Sequence, residues 1–112
     1  MVLKMLEAQV EDWSVNRARQ RGWFVRKFTS PYRRSAPDDI FAKQGYTGER
    51  TVFFIEFKAT GCKPTVLQAE EHSAMRSAGL NVYVCDSREL FEQIMRIESK
   101  RINEDWVSRN VP

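Results

Sequence analysis

Histidine and cysteine are scarce in this sequence, with one histidine, His72, and two cysteines, Cys62 and Cys85, in 112 residues. Without a second histidine or a Cys-x-x-Cys pair, one chain assembles neither a structural zinc site nor a three-histidine catalytic zinc site. Cys62 falls in an expected loop and Cys85 ends an expected strand, which argues against a disulfide framework. Any metal would be held mainly by oxygen, pointing to magnesium or manganese. No apolar run approaches the roughly 18 residues of a membrane span, and Met1-Val2-Leu3-Lys4 lacks the long h-region of a secretory signal. The expected location is therefore the cytoplasm, with no membrane partner. Internal repeats, low-complexity segments and linkers are also missing, so residues 1–112 read as one domain with room for one hydrophobic core.

The formal net charge of +3 is modest, but the basic residues are unevenly placed. From Asn16 to Arg34 the chain carries Arg17, Arg19, Arg21, Arg26, Lys27, Arg33 and Arg34 with no acid among them. Such a run fits a solvated face, and beside aromatic residues it also fits a surface for phosphate backbone.

Periodicity predicts a helix over residues 4–21, with Leu6, Val10, Trp13 and Ala18 along one side and Gly22 as a stop. Glu7 and Glu11 lie four apart near its start, where acids favour the helix dipole. A strand follows from Trp23 to Thr29, with Trp23 and Val25 on one face and Phe24, Arg26 and Phe28 on the other. Ser30 to Ala36 is a loop by its Pro and Ser content. Thr65-Val66-Leu67-Gln68 matches a capping box and should open a helix that runs to Ala78 and stops at Gly79. Leu80 to Cys85 is a short β-branched strand. A last helix opens at Asp86-Ser87, with Leu90, Phe91, Ile94, Met95 and Ile97 as its apolar side. The tail beyond Lys100 keeps Ile102, Trp106 and Val107, so it should pack against the same chain or a second copy.

Between these elements lies the most informative stretch, Pro37 to Lys58. It opens with Pro37-Asp38-Asp39, turns through Gln44 to Arg50, and closes with Val52-Phe53-Phe54-Ile55-Glu56-Phe57-Lys58. A hairpin centred at Thr47 pairs residues whose numbers add to 94, setting Asp38 against Glu56. Opposed residues share a face. Asp38, Glu56 and Lys58 then project to one side, and Asp39, Phe41, Phe53, Ile55 and Phe57 to the other. A one-residue slip would exchange Asp38 for Asp39. Both faces are otherwise apolar, so this is a central sheet covered on both sides. The element order is α-β-β-β-α-β-α.

Charges at the end of a half-buried strand need a partner, a metal or solvent. Read blandly, Asp38 is a turn residue, and Glu56 and Lys58 are a solvated pair of little energetic weight. The ordered set favours another reading. Pro37-Asp38, Glu56-Phe57-Lys58 at a strand end, Gln68 early in the next helix, Gly79 after it, the strand Val82-Tyr83-Val84 and a glutamate in the first helix together resemble the PD-(D/E)XK nuclease superfamily. Within it the chain looks like the virus-type replication-repair nuclease (VRR-NUC) family. In the first helix Glu7, with Val10 and Trp13, fits that pattern best, and Glu11 is the runner-up.

The resemblance implies an α/β restriction-endonuclease-like core and a Mg2+- or Mn2+-dependent nuclease hydrolysing phosphodiester bonds in branched or duplex DNA. It also implies a homodimer acting in repair, recombination or phage replication, with no organic cofactor. Cleaving a phosphodiester needs an activated water, in-line placement, and compensation of charge on the phosphoryl oxygens. Asp38 and Glu56 supply a close carboxylate pair and Glu7 a third, while the backbone carbonyl of Phe57 is a further metal ligand by resemblance. Lys58, roughly 7 Å along the strand from Glu56, would orient the water or neutralise the transition state, and Gln68 would position that lysine or a bound water. Arg26, Tyr32, Arg33, Arg34 and Lys63 are the candidates for contact with nucleic acid. His72 reads as half-buried or exposed, and Glu70 and Glu71 as surface acids. The competing class is a nucleic-acid-binding module that keeps the fold without catalysis.

Overall fold

The computed structural model describes residues 4–30 and 35–107. Along the chain it contains α1 (Glu7–Gln20), β1 (Phe24–Lys27), β2 (Asp39–Gln44), β3 (Arg50–Phe57), α2 (Val66–Ser77), β4 (Asn81–Cys85) and α3 (Arg88–Arg101). The order α-β-β-β-α-β-α and the mixed sheet are those of a restriction-endonuclease-like core. The sheet runs β1-β2-β3-β4, antiparallel between its first three strands and parallel between β3 and β4. Parallel pairing requires a crossover, which α2 supplies.

The hairpin has the register that the sequence predicts. Asp39 pairs with Ile55, Ile40 with Phe54, Ala42 with Val52 and Gln44 with Arg50. Its turn is tight because Gly45 lies under the end of α3, where a Cβ would sit 2.2 Å from the carbonyl oxygen of Ile102. No side chain fits there.

One face of the sheet carries most of the core. Val25, Phe41, Phe53, Ile55 and Phe57 pack there with Val10 and Ala18 of α1 and Phe91, Ile94 and Met95 of α3. Phe41 stacks on Phe53 with ring centroids 5.1 Å apart. The other face is covered by α2 through a smaller cluster of Phe54, Met75 and Val82, joined by Phe28 and Ile40. Val52 on that face remains exposed, so the second layer is thinner than the first.

Three expectations need correction, and one left open is decided. Helix α1 begins at Glu7, three residues later than expected, and Leu6 is its extended N-cap rather than part of the apolar stripe, which leaves it 69% exposed. On α3 the buried positions are Phe91, Glu92, Ile94, Met95, Glu98 and Ser99, at helical spacing, while Ile97 falls to the side and is exposed. Arg17 is not on a solvated face. It is buried, paired with Glu92, and sits over the rings of Trp13 and Trp106 at 5.1 and 6.0 Å. The C-terminal tail packs on its own chain, with Ile102 and Trp106 buried. Arg21 lies 4.2 Å over Trp106 and donates to the carbonyl of Val107.

Candidate active site

The site forms where β2 begins and β3 ends. Asp38 is fixed through its backbone on both sides, its N–H donating to Ile55 O at 3.1 Å and its carbonyl accepting from Phe28 N at 2.8 Å. Its carboxylate oxygen Oδ2 accepts the N–H of Phe57 at 2.7 Å. The same carboxylate also hydrogen-bonds the Glu56 side chain. Glu56 lies on β3 between β2 and β4, paired with Val84, and is only 2% exposed. Because side chains alternate along a strand, Phe57 buries its ring in the core on the opposite face and offers the site only its backbone. Lys58 returns to the Glu56 face. Its N–H donates to Cys85 O at 2.9 Å, and its Nζ stands 3.8 Å from Glu56 Oε2.

Helix α2 brings two more groups. Thr65 and Gln68 form the capping box: Gln68 N donates to Thr65 Oγ1 at 3.2 Å, and Thr65 N donates to Gln68 Oε1 at 2.9 Å. With its oxygen so engaged, the Gln68 amide turns Nε2 toward Glu56 Oε2, at 3.3 Å. One turn later comes His72, and here the sequence expectation fails. The imidazole is 1% exposed and its Nε2 stands 3.6 Å from Glu56 Oε1. The available signal was the four-residue spacing from Gln68, which puts both side chains on one helix face.

Helix α1 enters through a tie before it starts. Met5 N donates to Thr60 Oγ1 at 2.9 Å, Thr60 N donates to Met5 O at 3.0 Å, and Thr60 Oγ1 donates to Asp86 O at 2.9 Å. This holds the first turn of α1 beside the end of β3. Glu7 is exposed, and its charge acts on Glu56. Glu11 and Asp39 belong to a different place. Asp39 is buried on the α1 face and bonded to Glu11, which pairs with Lys27 at 2.5 Å. Burial, then the bond and charge of Glu11, push the Asp39 carboxyl up to about 8. Burial opposes ionisation of Glu11, but bonds from Asp39 and Lys27 outweigh it and hold that carboxyl below its ordinary value.

At Glu56 the electrostatics are unfavourable to an empty site. Burial first, then the negative charge of Asp38, push its carboxyl up to about 8, with Lys58 opposing and Glu7 adding to the rise. Burial, then the positive charges of Arg76 and Lys58, lower the His72 pKa, so the imidazole is neutral. Glu56 Oε1 and His72 Nε2 are both buried without a hydrogen-bond partner. Among the described residues, no group of three or more His, Cys, Asp and Glu side chains closes on a point where an ion would be held as the side chains stand. The donor chemistry nevertheless suits a hard divalent cation: crowded carboxylate oxygens, one of them buried and unpartnered, with too little positive charge nearby.

Tyr32, Arg33 and Arg34 lie outside the described residues. Arg26 is exposed on β1, donates to Val25 O at 2.8 Å and lies 4.3 Å over Phe24. Lys63 is exposed in the loop after Lys58, and Glu70 is on the surface with Glu71 half-buried. An open groove of about 420 Å³, lined by Lys27, Phe28, Thr29, Ser30, Pro37 and Asp38, adjoins the site. Among the described residues no helix is long and apolar enough to cross a membrane.

No family model matches the chain. Over 84 residues it is 37% identical to a protein named "Putative nuclease p44" from Acyrthosiphon pisum secondary endosymbiont phage 1, covering 75% of this chain and 86% of that relative. The chain belongs to the family of that phage nuclease.

Proposed function

We propose that this chain is a metal-dependent DNA endonuclease of the VRR-NUC type, residues 1–112 acting as one PD-(D/E)XK domain that hydrolyses phosphodiester bonds with Mg2+ or Mn2+. The observation that carries this reading is Glu56, a buried carboxylate beside Asp38 and Lys58 whose Oε1 has no hydrogen-bond partner. A carboxylate buried for structure alone would have both oxygens bonded.

Asp38, Glu56 and Glu7, with the backbone carbonyl of Phe57, would hold the ion. Once bound, such an ion activates water and offsets charge on the phosphoryl oxygens. The protein's own groups then have distinct tasks. The Phe57 N–H fixes the Asp38 carboxylate, Gln68 orients Glu56 through Oε2, and Lys58 presents a positive charge beside the reacting phosphate. Arg26, Lys63, Tyr32, Arg33 and Arg34 contact the phosphate backbone and bases. The substrate is DNA, branched or duplex, cut by a pair of identical chains in the cytoplasm of a bacterium or a phage-infected host.

The test is incubation of linear, flapped and four-way-junction DNA with Mn2+, comparing wild type with Asp38→Ala and Lys58→Ala. Cleavage by wild type alone supports the reading. Absence of wild-type product, or equal cutting by the variants, overturns it. DNA affinity unchanged by chelator and no product with any divalent ion would instead identify a binding module without catalysis.

A further inference from the structure

We propose that His72 is a positioning residue for Glu56, donating from Nε2 to Oε1 so that the carboxylate is held at both oxygens by one helix; this rests on the reading of the site as a metal centre. His72 and Gln68 lie four residues apart on α2, and both reach the same carboxylate. Gln68 Nε2 takes Oε2 at 3.3 Å, and His72 Nε2 faces Oε1 at 3.6 Å. Neither His72 Nε2 nor Glu56 Oε1 has a hydrogen-bond partner, and both are buried. Two facing buried polar atoms, each unsatisfied, are unfavourable, and closing the gap by a few tenths of an ångström satisfies both.

The surroundings make a packing role insufficient. Toward the sheet, the same face of α2 packs Met75 against Phe54 and Val82. A leucine or phenylalanine would fill the His72 position without burying a polar tip against a carboxylate. The imidazole is tolerated there because its N–H has a use. A carboxylate held at both oxygens keeps its plane when it takes a cation, and its ordering is complete beforehand. Partners of this kind behind a metal ligand are worth about 10–100-fold in metal affinity.

The experiment measures Mn2+ binding by the electron paramagnetic resonance signal of the free ion, in wild type, His72→Leu and His72→Gln, with thermal unfolding and DNA cleavage recorded on the same samples. His72→Leu keeps the volume and removes the donor, and is expected to weaken Mn2+ binding about tenfold or more while still unfolding cooperatively. His72→Gln restores an N–H donor and is expected to recover most of the loss. Wild-type affinity in His72→Leu overturns the proposal, as does an equal loss in both variants, which would mean packing alone. If wild type binds Mn2+ and the variants behave as expected but no DNA is cut, the positioning role stands and the nuclease reading falls. If wild type cuts DNA and His72→Leu binds Mn2+ equally well, the positioning role falls alone. Wild type that binds no Mn2+ overturns both.

Discussion

Glu56 and Glu98 are both buried glutamates, 2% and 0% exposed, yet they are treated in opposite ways. Glu98, on α3, is surrounded by donors. Thr51 Oγ1 reaches Oε1 at 2.6 Å, and Oε2 takes the Tyr83 hydroxyl at 2.5 Å, Arg101 Nε at 3.3 Å and Asn81 Nδ2 at 3.4 Å. Burial, then the bond to Glu98, push the Tyr83 phenol up to about 12, so it remains a donor across the ordinary pH range. Glu56 has Gln68 at 3.3 Å, Lys58 at 3.8 Å, His72 at 3.6 Å, and two other carboxylates nearby. A carboxylate buried for structure is saturated with donors. Glu56 is buried with fewer donors, which is what the proposed metal site requires of it.

The largest effect expected from this contrast is on activity. Lys58→Ala should lower DNA cleavage about 10²–10³-fold, the scale seen when one stabilising group is removed from a transition state, while Glu98→Gln, if folded, should cut near the wild-type rate. Stability should show the reverse order. Glu98→Ala strands Thr51, Tyr83 and Asn81 and should destabilise by about 3 kcal/mol in denaturant unfolding. Glu56→Gln should not destabilise at neutral pH and should raise the melting temperature, because folding no longer has to return to this side chain a proton that the unfolded chain has released.

The same contrast predicts a pH dependence. The Glu56 carboxyl is raised in the folded chain to about 8 from an ordinary 4.5, so between those values the folded state keeps a proton that the unfolded state has lost. Binding more protons when folded means that stability falls as pH rises through that window and levels off above it. Unfolding of wild type and Glu56→Gln from pH 5 to 9 without metal should show a shallower fall in the variant. Equal slopes would remove Glu56 as the source. The smallest effect concerns the thiols. Burial pushes Cys85 up to about 12 in the interior, whereas Cys62 is exposed. A thiol reagent should modify one cysteine in the native protein and both in denaturant.

The hairpin was legible because its two strands differ in no ambiguous way: Gly45 and Gly48 fix a turn at Thr47, and the alternation of apolar residues then sets the register. The capping box at Thr65 was legible for a similar reason, since both of its bonds lie within three residues. The rest depends on contacts between distant segments. Arg17 reads as solvated until Glu92, 75 residues later, and Trp106 close over it. Glu98 stands out in no sequence pattern, and its burial depends on Tyr83 and Thr51 arriving from the sheet. Glu7 and Glu11 are one helical turn apart, and only the fold turns Glu11 to Asp39 and Lys27 while the charge of Glu7 acts on Glu56. His72 reads as half-buried or exposed because helix spacing shows that it shares a face with Gln68 but not that this face meets a carboxylate.

The central claim is that Glu56 is the carboxylate reserved for catalysis. Its most direct test is Mn2+-dependent cleavage of junction and duplex DNA by Glu56→Gln, a change that keeps the size of the side chain and removes its charge, in protein shown by circular dichroism to be folded. The expected result is a folded variant with no detectable product where wild type cuts. A folded Glu56→Gln that cuts at the wild-type rate would contradict the assignment.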